Sequence, residues 1–217
     1  MTRVYFVRHA QPEHDWEEDR TRPLTEEGKK DSAIVLEFLK DKKIDAFYCS
    51  PYKRSMDTIA EAADFFTKEI ITDERLRERE KGLDGNNHGM FRKRWADHNY
   101  HEEGGESIAM VQKRNIEALN EILSDNTDKD IVIGTHGTAL STILNFYDNN
   151  FGCEDFLRII DWMPYIIELD FESSCNATCV HEKEAKTESE CPLYSFKLAA
   201  KQEHCHIAVS YTHLTLP

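Results

Sequence analysis

The chain has 217 residues, of which 41 are acidic and 27 are Lys or Arg, so its formal net charge at pH 7 is -14. A chain of this length can bury about 70% of its unfolded surface in one domain. The acidic balance argues against nucleic acid or an anionic membrane as the main partner, because either would need a basic face. Any anionic ligand must therefore be held by locally concentrated cations.

The first thirty residues contain no segment typical of export or membrane insertion. Only four consecutive apolar residues precede Arg8, which is too few for a signal-peptide core or a spanning helix. No long apolar run follows later in the chain. We therefore expect a cytoplasmic protein with no membrane partner.

Short apolar runs alternate with amphipathic segments along the chain, a pattern typical of α/β proteins. Strands are predicted at 4–7, 46–49, 69–72, 130–133 and 165–171, with an edge strand at 194–198. One helix is predicted after Thr25, whose hydroxyl can cap its first turn. Further helices are predicted from Pro51 to Phe65, over 108–123 and after His136.

Polar residues with useful chemistry follow two of these strands directly. Arg8 and His9 come after strand 4–7, and His136 comes just after strand 130–133. Open α/β sheets bind their ligands at the carboxyl ends of strands. Arg54 is expected in the first turn of a helix that follows another strand. The pattern favours one shared site, although a solvated strand end is the alternative for Arg8 and His9 alone.

Four further segments accompany Arg8-His9-Ala10, namely 23–28, 50–54, 76–78 with Gly82, and 134–137. In this order and at these intervals they resemble the histidine phosphatase superfamily, the phosphoglycerate-mutase-like enzymes. The resemblance covers residues 2–171. It implies an α/β fold, a three-layer α/β/α sandwich with a mostly parallel central sheet and a short cap insertion.

The resemblance also assigns roles to five residues. His9 matches the nucleophile, whose neutral ring nitrogen attacks phosphorus while its other nitrogen donates to a backbone carbonyl. Arg8 and Arg54 match the two arginines that bind phosphoryl oxygens, and His136 matches a second donor to these oxygens. Glu78 matches the acid that protonates the leaving oxygen and then activates water. The implied reaction is hydrolysis of a small phosphorylated metabolite through a phosphohistidine, with no metal ion and no cofactor.

Three details of the site stay open at this point. Glu80 is the alternative to Glu78, and the register of the motif favours Glu78. Gln11 and Thr138, just after the two histidines, are candidate substrate-binding residues, with loop or helix packing as the alternative for each. Lys81 stands where the family commonly has an aromatic residue, so the pocket wall there is expected to differ from that of the relatives.

Substrate choice is expected in the cap, residues 86–103, because loops carry specificity. Mutases of this family generally have a longer insertion there, so the short segment favours a phosphatase. Arg92, Lys93 and Arg94 are expected to form the solvated basic face of a capping helix, with contact to a second anionic or ring-bearing part of a substrate as the alternative. The alternatives are phosphoglycerate mutase-type phosphoryl transfer and a non-catalytic phosphate-binding module of the same fold. A metal-dependent hydrolase is not supported, because the sequence has neither a His-x-x-x-His pair nor a cluster of carboxylates with the spacing of metal ligands.

The single domain is expected to span 1–200 and to be followed by a tail, 201–217, whose last ten residues look like translated adapter sequence. Cys49 and Cys153 are expected to be buried thiols. The other four cysteines, Cys175, Cys179, Cys191 and Cys205, lie with histidines in the last fifth of the chain. Their spacing lacks the Cys-x-x-Cys pairs of common zinc sites, so we predict no metal there, with zinc or a disulfide as the alternative.

Overall fold

The computed structural model describes residues 1–83, 88–173 and 194–196. Its strands are β1 (Thr2–Arg8), β2 (Ala46–Cys49), β3 (Ile70–Thr72), β4 (Asp130–Thr135), β5 (Tyr165–Ser173) and β6 (Tyr194–Phe196). Its helices are α1 (Glu26–Leu39), α2 (Lys53–Phe65), α3 (Phe91–Ala96), α4 (Ile108–Asp125), α5 (Gly137–Tyr147) and α6 (Cys153–Ile159). The predicted tail and the four late cysteines lie outside the described residues.

The strands form one sheet in the order β3-β2-β4-β1-β5-β6. Strands β3, β2, β4 and β1 are parallel to one another, whereas β5 is antiparallel to β1. In the register of β1 and β4, Arg8 lies opposite Thr135. The predicted mostly parallel sheet is therefore confirmed, and the residues that follow β1 and β4 leave the sheet side by side.

Helices cover both faces of the sheet. Val4 and Phe6 of β1 pack in a cluster with residues of α4 and α5, whereas Tyr5 and Val7 pack on the other face with residues of α1 and α2. These four side chains are almost completely buried. A strand covered on both faces is apolar at every position, which is why β1 is a continuous apolar run. The predicted three-layer arrangement follows from this burial.

The helix starts agree with the sequence in one case and differ in another. Thr25 caps α1, because its hydroxyl oxygen accepts a hydrogen bond from the Gly28 amide at 2.9 Å. The prediction that α2 begins at Pro51 is wrong, since the helix begins at Lys53 and Tyr52 before it has an extended ψ of 132°. Arg54 still lies in the first turn of α2.

The cap consists of a 3-10 turn (His88–Met90) followed by α3. It packs on α6, a helix that the sequence patterns did not indicate. The rings of Phe91 and Trp95 lie 5.1 and 5.8 Å from the ring of Phe156 on α6. These aromatic contacts fix the cap above the carboxyl end of the sheet.

Two further expectations concern cysteines and membrane spans. Cys49 is buried as expected, whereas Cys153, the first residue of α6, is only partly buried, so its predicted burial is wrong. Cys153 packs against the apolar cluster that contains Trp95 and Phe156 but keeps part of its surface exposed. Over the described ranges, no helix is both long enough and apolar enough to cross a membrane.

Candidate active site

The two histidines meet at the carboxyl ends of β1 and β4. His9 directly follows β1, and His136 follows β4 and caps α5. Their ring centroids are 5.2 Å apart with an interplanar angle of 62°. The parallel register of the two strands therefore brings together residues that are far apart in the chain.

The ring of His9 has a defined tautomer. Its Nδ1 lies 2.8 Å from the carbonyl oxygen of Ala10. A carbonyl oxygen only accepts, so Nδ1 carries the proton and Nε2 keeps its lone pair. Burial, together with the charges of Arg54 and Arg8, holds the pKa of His9 well below its usual value of 6.5. The ring is thus a neutral base at physiological pH, as a nucleophile requires.

The ring of His136 is completely buried and contacts a hydroxyl group. Its Nε2 lies 2.7 Å from Oγ of Ser50, the residue that follows β2. Within the described part of the chain, its Nδ1 has no hydrogen-bond partner. Burial and the charge of Arg54 hold the pKa of His136 well below 6.5. The bond to Ser50 joins two strand ends, which explains why no local sequence signal indicated it.

The two predicted arginines are both buried beside the histidines. Arg8 donates from Nη1 to the Ile159 carbonyl at 2.7 Å, and its guanidinium lies against Gly137, where an added Cβ would stand 3.2 Å from it. Burial lowers the pKa of Arg8 to about 10, so the side chain remains a cation at neutral pH. Arg54 donates to the carbonyl oxygen of Asp19 at 2.6 Å and lies 3.3 Å from the Asp19 carboxylate. Two fixed cations therefore flank His9.

Glu78 lies at the amino terminus of α5. Its carboxylate accepts hydrogen bonds from the amides of Thr138 at 3.0 Å and Ala139 at 3.3 Å, which have no partner within the helix. Glu78 contributes to the wall of the cavity described below, whereas Glu80 is exposed and lies outside that wall. The geometry thus favours Glu78 over Glu80.

The two auxiliary residues occupy different surroundings. Thr138 lines the cavity and donates its amide to Glu78. Gln11 does not line the cavity, and its side-chain oxygen accepts a hydrogen bond from the Thr25 hydroxyl at 3.1 Å. The structure brings Thr138 to the predicted site and turns Gln11 toward the start of α1.

A cavity of about 460 Å³ is lined by Arg8, His9, Arg54, Glu78 and Thr138, whereas the completely buried His136 is not part of its wall. Its wall combines predicted polar residues with an aromatic and aliphatic side that comes from the cap, the start of α4, and α6 with the residues after it. The large apolar side chains of the wall are Phe91, Trp95, Ile108, Phe156, Ile160 and Met163. Further charged or titratable residues of the wall are His14, Asp19, Arg22, Arg79, Lys81, Arg94 and Asp161. The cavity can hold a small, highly charged molecule.

The cap places arginines inside the molecule. Arg94 is 2% exposed and binds Glu102 with its Nε at 2.8 Å, and Arg79 lies 3.3 Å from the same carboxylate. The prediction of a solvated basic face is therefore wrong for Arg94. Arg92 and Lys93 are exposed, Arg92 in an ion pair with Glu154 and Lys93 above the ring of Tyr100. Since successive residues of a helix are about 100° apart, Arg94 faces the cavity while Arg92 faces solvent.

Over the described ranges, no group of three or more His, Cys, Asp or Glu side chains is arranged to hold a metal ion. His9 and the three groups around it instead form an anion site: a neutral imidazole with a free lone pair, two guanidiniums and a second imidazole. A carboxylate stands beside them on α5. Such a set can bind a phosphoryl group, attack it and move a proton.

Curated proteins are similar to parts of this sequence. The chain is 29% identical over 154 residues to phosphoserine phosphatase 1 from Hydrogenobacter thermophilus, covering 63% of this chain and 71% of that protein. It is 44% identical over 55 residues to a 2,3-bisphosphoglycerate-dependent phosphoglycerate mutase from Thermoplasma acidophilum, a stretch that covers 25% and 28% of the two chains.

Solved structures show the same architecture. The phosphoserine phosphatase from Entamoeba histolytica, in complex with 3-phosphoglyceric acid, aligns with a TM-score of 0.66 and 22% identity, covering 79% of this chain and 91% of that one. A mycobacterial glucosyl-3-phosphoglycerate phosphatase aligns with a TM-score of 0.63 and 18% identity over 77% and 89%. The predicted fold class is thus confirmed.

A family model described as histidine phosphatase superfamily (branch 1) matches residues 4–159. This match covers most of the chain and includes His9, Arg54, Glu78 and His136. The resemblance found in the sequence is confirmed: the chain belongs to the histidine phosphatase superfamily, branch 1.

Proposed function

We propose that the protein hydrolyses small phosphate monoesters through a phosphohistidine on His9, without a metal ion. The observation that carries this proposal is the His9 ring, which is neutral, has its proton fixed on Nδ1, and lies between Arg8 and Arg54. A phosphate monoester carries close to two negative charges, which these two permanent cations can balance. The names of the phosphatase relatives support the same reaction.

In the first step, Nε2 of His9 attacks phosphorus and the bond from phosphorus to the leaving oxygen breaks. Glu78 in its protonated form gives its proton to that oxygen, so that an alcohol departs. The phosphoryl oxygens are held by Arg8, Arg54 and His136. When the Ser50 hydroxyl donates a hydrogen bond to Nε2 of His136, the ring proton of His136 resides on Nδ1. This Nδ1 atom has no partner within the described part of the protein. Each such donor typically contributes about 3 kcal/mol to transition-state stabilisation.

In the second step, water attacks the phosphohistidine. The Glu78 carboxylate takes a proton from this water, the bond between phosphorus and Nε2 breaks, and inorganic phosphate leaves. His9 returns to its neutral form and Glu78 to its protonated form. One carboxyl group thus acts first as acid and then as base.

We propose further that the substrate carries a second anionic group, such as a carboxylate. The cap side of the cavity supplies Lys81, Arg79 and Arg94. Arg79 and Arg94 share Glu102, whereas Lys81 forms no ion pair with any residue in the described ranges. Relatives named for phosphoserine, and one solved with 3-phosphoglyceric acid, act on or bind molecules with both groups. A cytoplasmic location and the absence of a nucleic-acid partner stay predictions.

A direct assay tests the reaction class. The protein should hydrolyse an aryl phosphate equally well with and without a chelator, and vanadate should inhibit it, because vanadate complexes resemble the transferring phosphoryl group. A panel of phosphorylated metabolites then identifies the substrate by phosphate release.

Three results would contradict the proposal. Activity that is lost in chelator and restored by a divalent cation would show a metal-dependent hydrolase. Transfer of the phosphoryl group to a second metabolite rather than to water would show a mutase, the activity named for the relative matched over 55 residues. Tight phosphate binding with no turnover on any substrate would show a binding module.

A further inference from the structure

The segment that carries Glu78 has neither helical nor strand structure. After the 3-10 turn Glu74–Leu76, residues 77–83 form no regular element. Their backbone groups therefore need partners from elsewhere, because buried carbonyl groups without partners are costly. The position of the Glu78 carboxylate depends on whatever supplies these partners.

Arg114, on the second turn of α4, binds three backbone carbonyl groups between residues 75 and 78. Its Nη1 donates to the carbonyl oxygens of Arg75 at 2.7 Å and Arg77 at 2.8 Å, and its Nη2 donates to that of Glu78 at 3.1 Å. Its Nε and Nη2 also donate to the two carboxylate oxygens of Glu106, at 2.9 and 2.8 Å. A guanidinium has five N–H donors, and each of them has a partner here.

Glu106 holds the same stretch of chain through other groups, and we call Arg114 and Glu106 together the clamp. Besides Arg114, its carboxylate accepts from the side chain of Arg77 at 3.0 Å and from the amide of Glu80 at 2.9 Å. Glu106 is buried, and its contacts with Arg114 and the Glu80 amide hold its pKa below the usual range although burial opposes this. The carboxylate therefore keeps its charge, and the chain is held on both sides of Glu78.

We propose that Arg114, oriented by Glu106, is the positioning residue for the general acid and base Glu78. It touches neither substrate nor phosphoryl group and acts through the backbone of 75–80. The inference rests on the proposed function, since it gives Glu78 a role in protonating the leaving group. A lysine at position 114 would keep the charge, but a single ammonium group cannot bind three carbonyls and both carboxylate oxygens.

The test compares single-turnover phosphorylation by an alkyl phosphate, which needs the acid, with that by an aryl phosphate, which needs little help. Arg114→Lys should slow the alkyl substrate about 10- to 100-fold, the size of effect that a displacement of about 1 Å can cause. The aryl rate should change less than about threefold and KM should stay the same. Glu106→Gln should show the same selectivity, and it covers the case in which Arg114→Lys does not fold.

Two controls separate positioning from general stability. Arg3→Lys changes another arginine with two bonds to one carboxylate, Asp170, at the opposite end of β1. It should leave both rates unchanged. In a Glu78→Gln background, Arg114→Lys should cause no further loss with the alkyl substrate, because coupled residues are not additive.

Equal losses with the two substrates in both variants, or additive losses in the double variant, would overturn the role of Arg114. If Glu78→Gln alone has no effect on the alkyl rate, the assignment of Glu78 fails instead, and the two failures are distinguished.

Discussion

The cavity has two ends that are built in different ways. One end, which we propose binds phosphate and call the phosphate end, consists of Arg8, His9 and Arg54, with the buried ring of His136 next to that of His9. These residues stand at strand ends or in the first turn of a helix. The cap end consists of irregular chain and the short helix α3, held by aromatic contacts and by the shared carboxylate of Glu102. The sheet thus fixes the chemistry, while a smaller and less regular unit surrounds the rest of the substrate.

The difference has a physical basis. Strands β1 and β4 are joined by a ladder of hydrogen bonds, so a change in side chain there leaves the backbone in place. The cap owes its position to a few side chains, and a change in any of them moves its neighbours. We therefore expect substitutions at the phosphate end to alter rate for every substrate, and substitutions at the cap end to alter the choice between substrates.

The largest effect is expected at the phosphate end. His9→Ala should reduce turnover on the order of 10⁵-fold or more for all substrates, since it removes the nucleophile. Its thermal unfolding should remain cooperative, because the backbone at the end of β1 is held by the sheet. Quenched wild-type protein should contain a phosphoryl group that is labile in acid and stable in base. Substantial activity in the variant, or an acid-stable phosphoserine or phosphotyrosine, would point to another mechanism.

The second largest effect is expected at Glu78, the carboxylate between the two ends. Glu78→Gln should slow alkyl phosphates by about a hundredfold to ten-thousandfold in single-turnover phosphorylation, and aryl phosphates far less. Glu80→Gln is the matched control, because Glu80 is exposed and lies outside the cavity wall. Equal losses for the two substrates, or a normal Glu78→Gln beside a crippled Glu80→Gln, would move the role to another residue.

The third effect concerns pH and the buried histidines. The pKa values of His9 and His136 in the folded protein are well below that of an unfolded histidine, about 6.5. The unfolded state therefore binds more protons as pH falls below 6.5, and the free energy of unfolding falls by up to about 1.4 kcal/mol per histidine for each pH unit.

Urea unfolding at pH values between 6.5 and 5.0 measures this loss of stability. This interval lies above the pKa of an unfolded glutamate, about 4.3, so protonation of carboxylates contributes little to it. His136→Asn should lose less stability than the wild type over the same interval. Identical losses would mean that His136 is protonated as readily in the folded protein as in the unfolded one.

The smallest effect is expected at the cap end. Lys81→Met should raise KM about 10- to 100-fold for a phosphate monoester that also carries a carboxylate, because a charged hydrogen bond contributes about 1.5 to 3 kcal/mol. KM for a simple aryl phosphate should not change. Lys93→Met is the matched control, since Lys93 is exposed and lies outside the cavity wall. A similar rise for both substrates would show that Lys81 does not recognise a second anion.

The two ends also differ in how well the sequence predicts them. His9 and His136 follow apolar strands, and a strand end is a local signal, so both could be placed without a structure. Arg94 could not, because the basic run at 92–94 has the composition of a solvated face. What turns Arg94 inward is its pairing with Glu102, eight residues further along the cap, and the packing of α3 on α6, and neither contact is visible in the composition of the run itself.

The contacts of Arg114 and Glu106 around Glu78 could not be predicted from the sequence either. Arg114 lies on the amphipathic helix α4, where a charged residue ordinarily faces solvent, and its partners are carbonyl groups, which are the same in every residue. The sequence also predicts the start of α2 two residues too early, at Pro51 rather than Lys53. Proline suits the first turn of a helix and equally suits the extended chain before it.

The pairing of β1 with β4 also bears on how such a protein can evolve. Because Arg8 lies opposite Thr135 in the sheet, the length of the chain between them is not set by the chemistry. Doubling a surface loop costs only about 0.6 kcal/mol in closure entropy. The cap can therefore lengthen, shorten or be replaced while the phosphoryl-transfer centre is inherited intact, which allows descendants of one ancestor to acquire new substrates without reinventing the reaction.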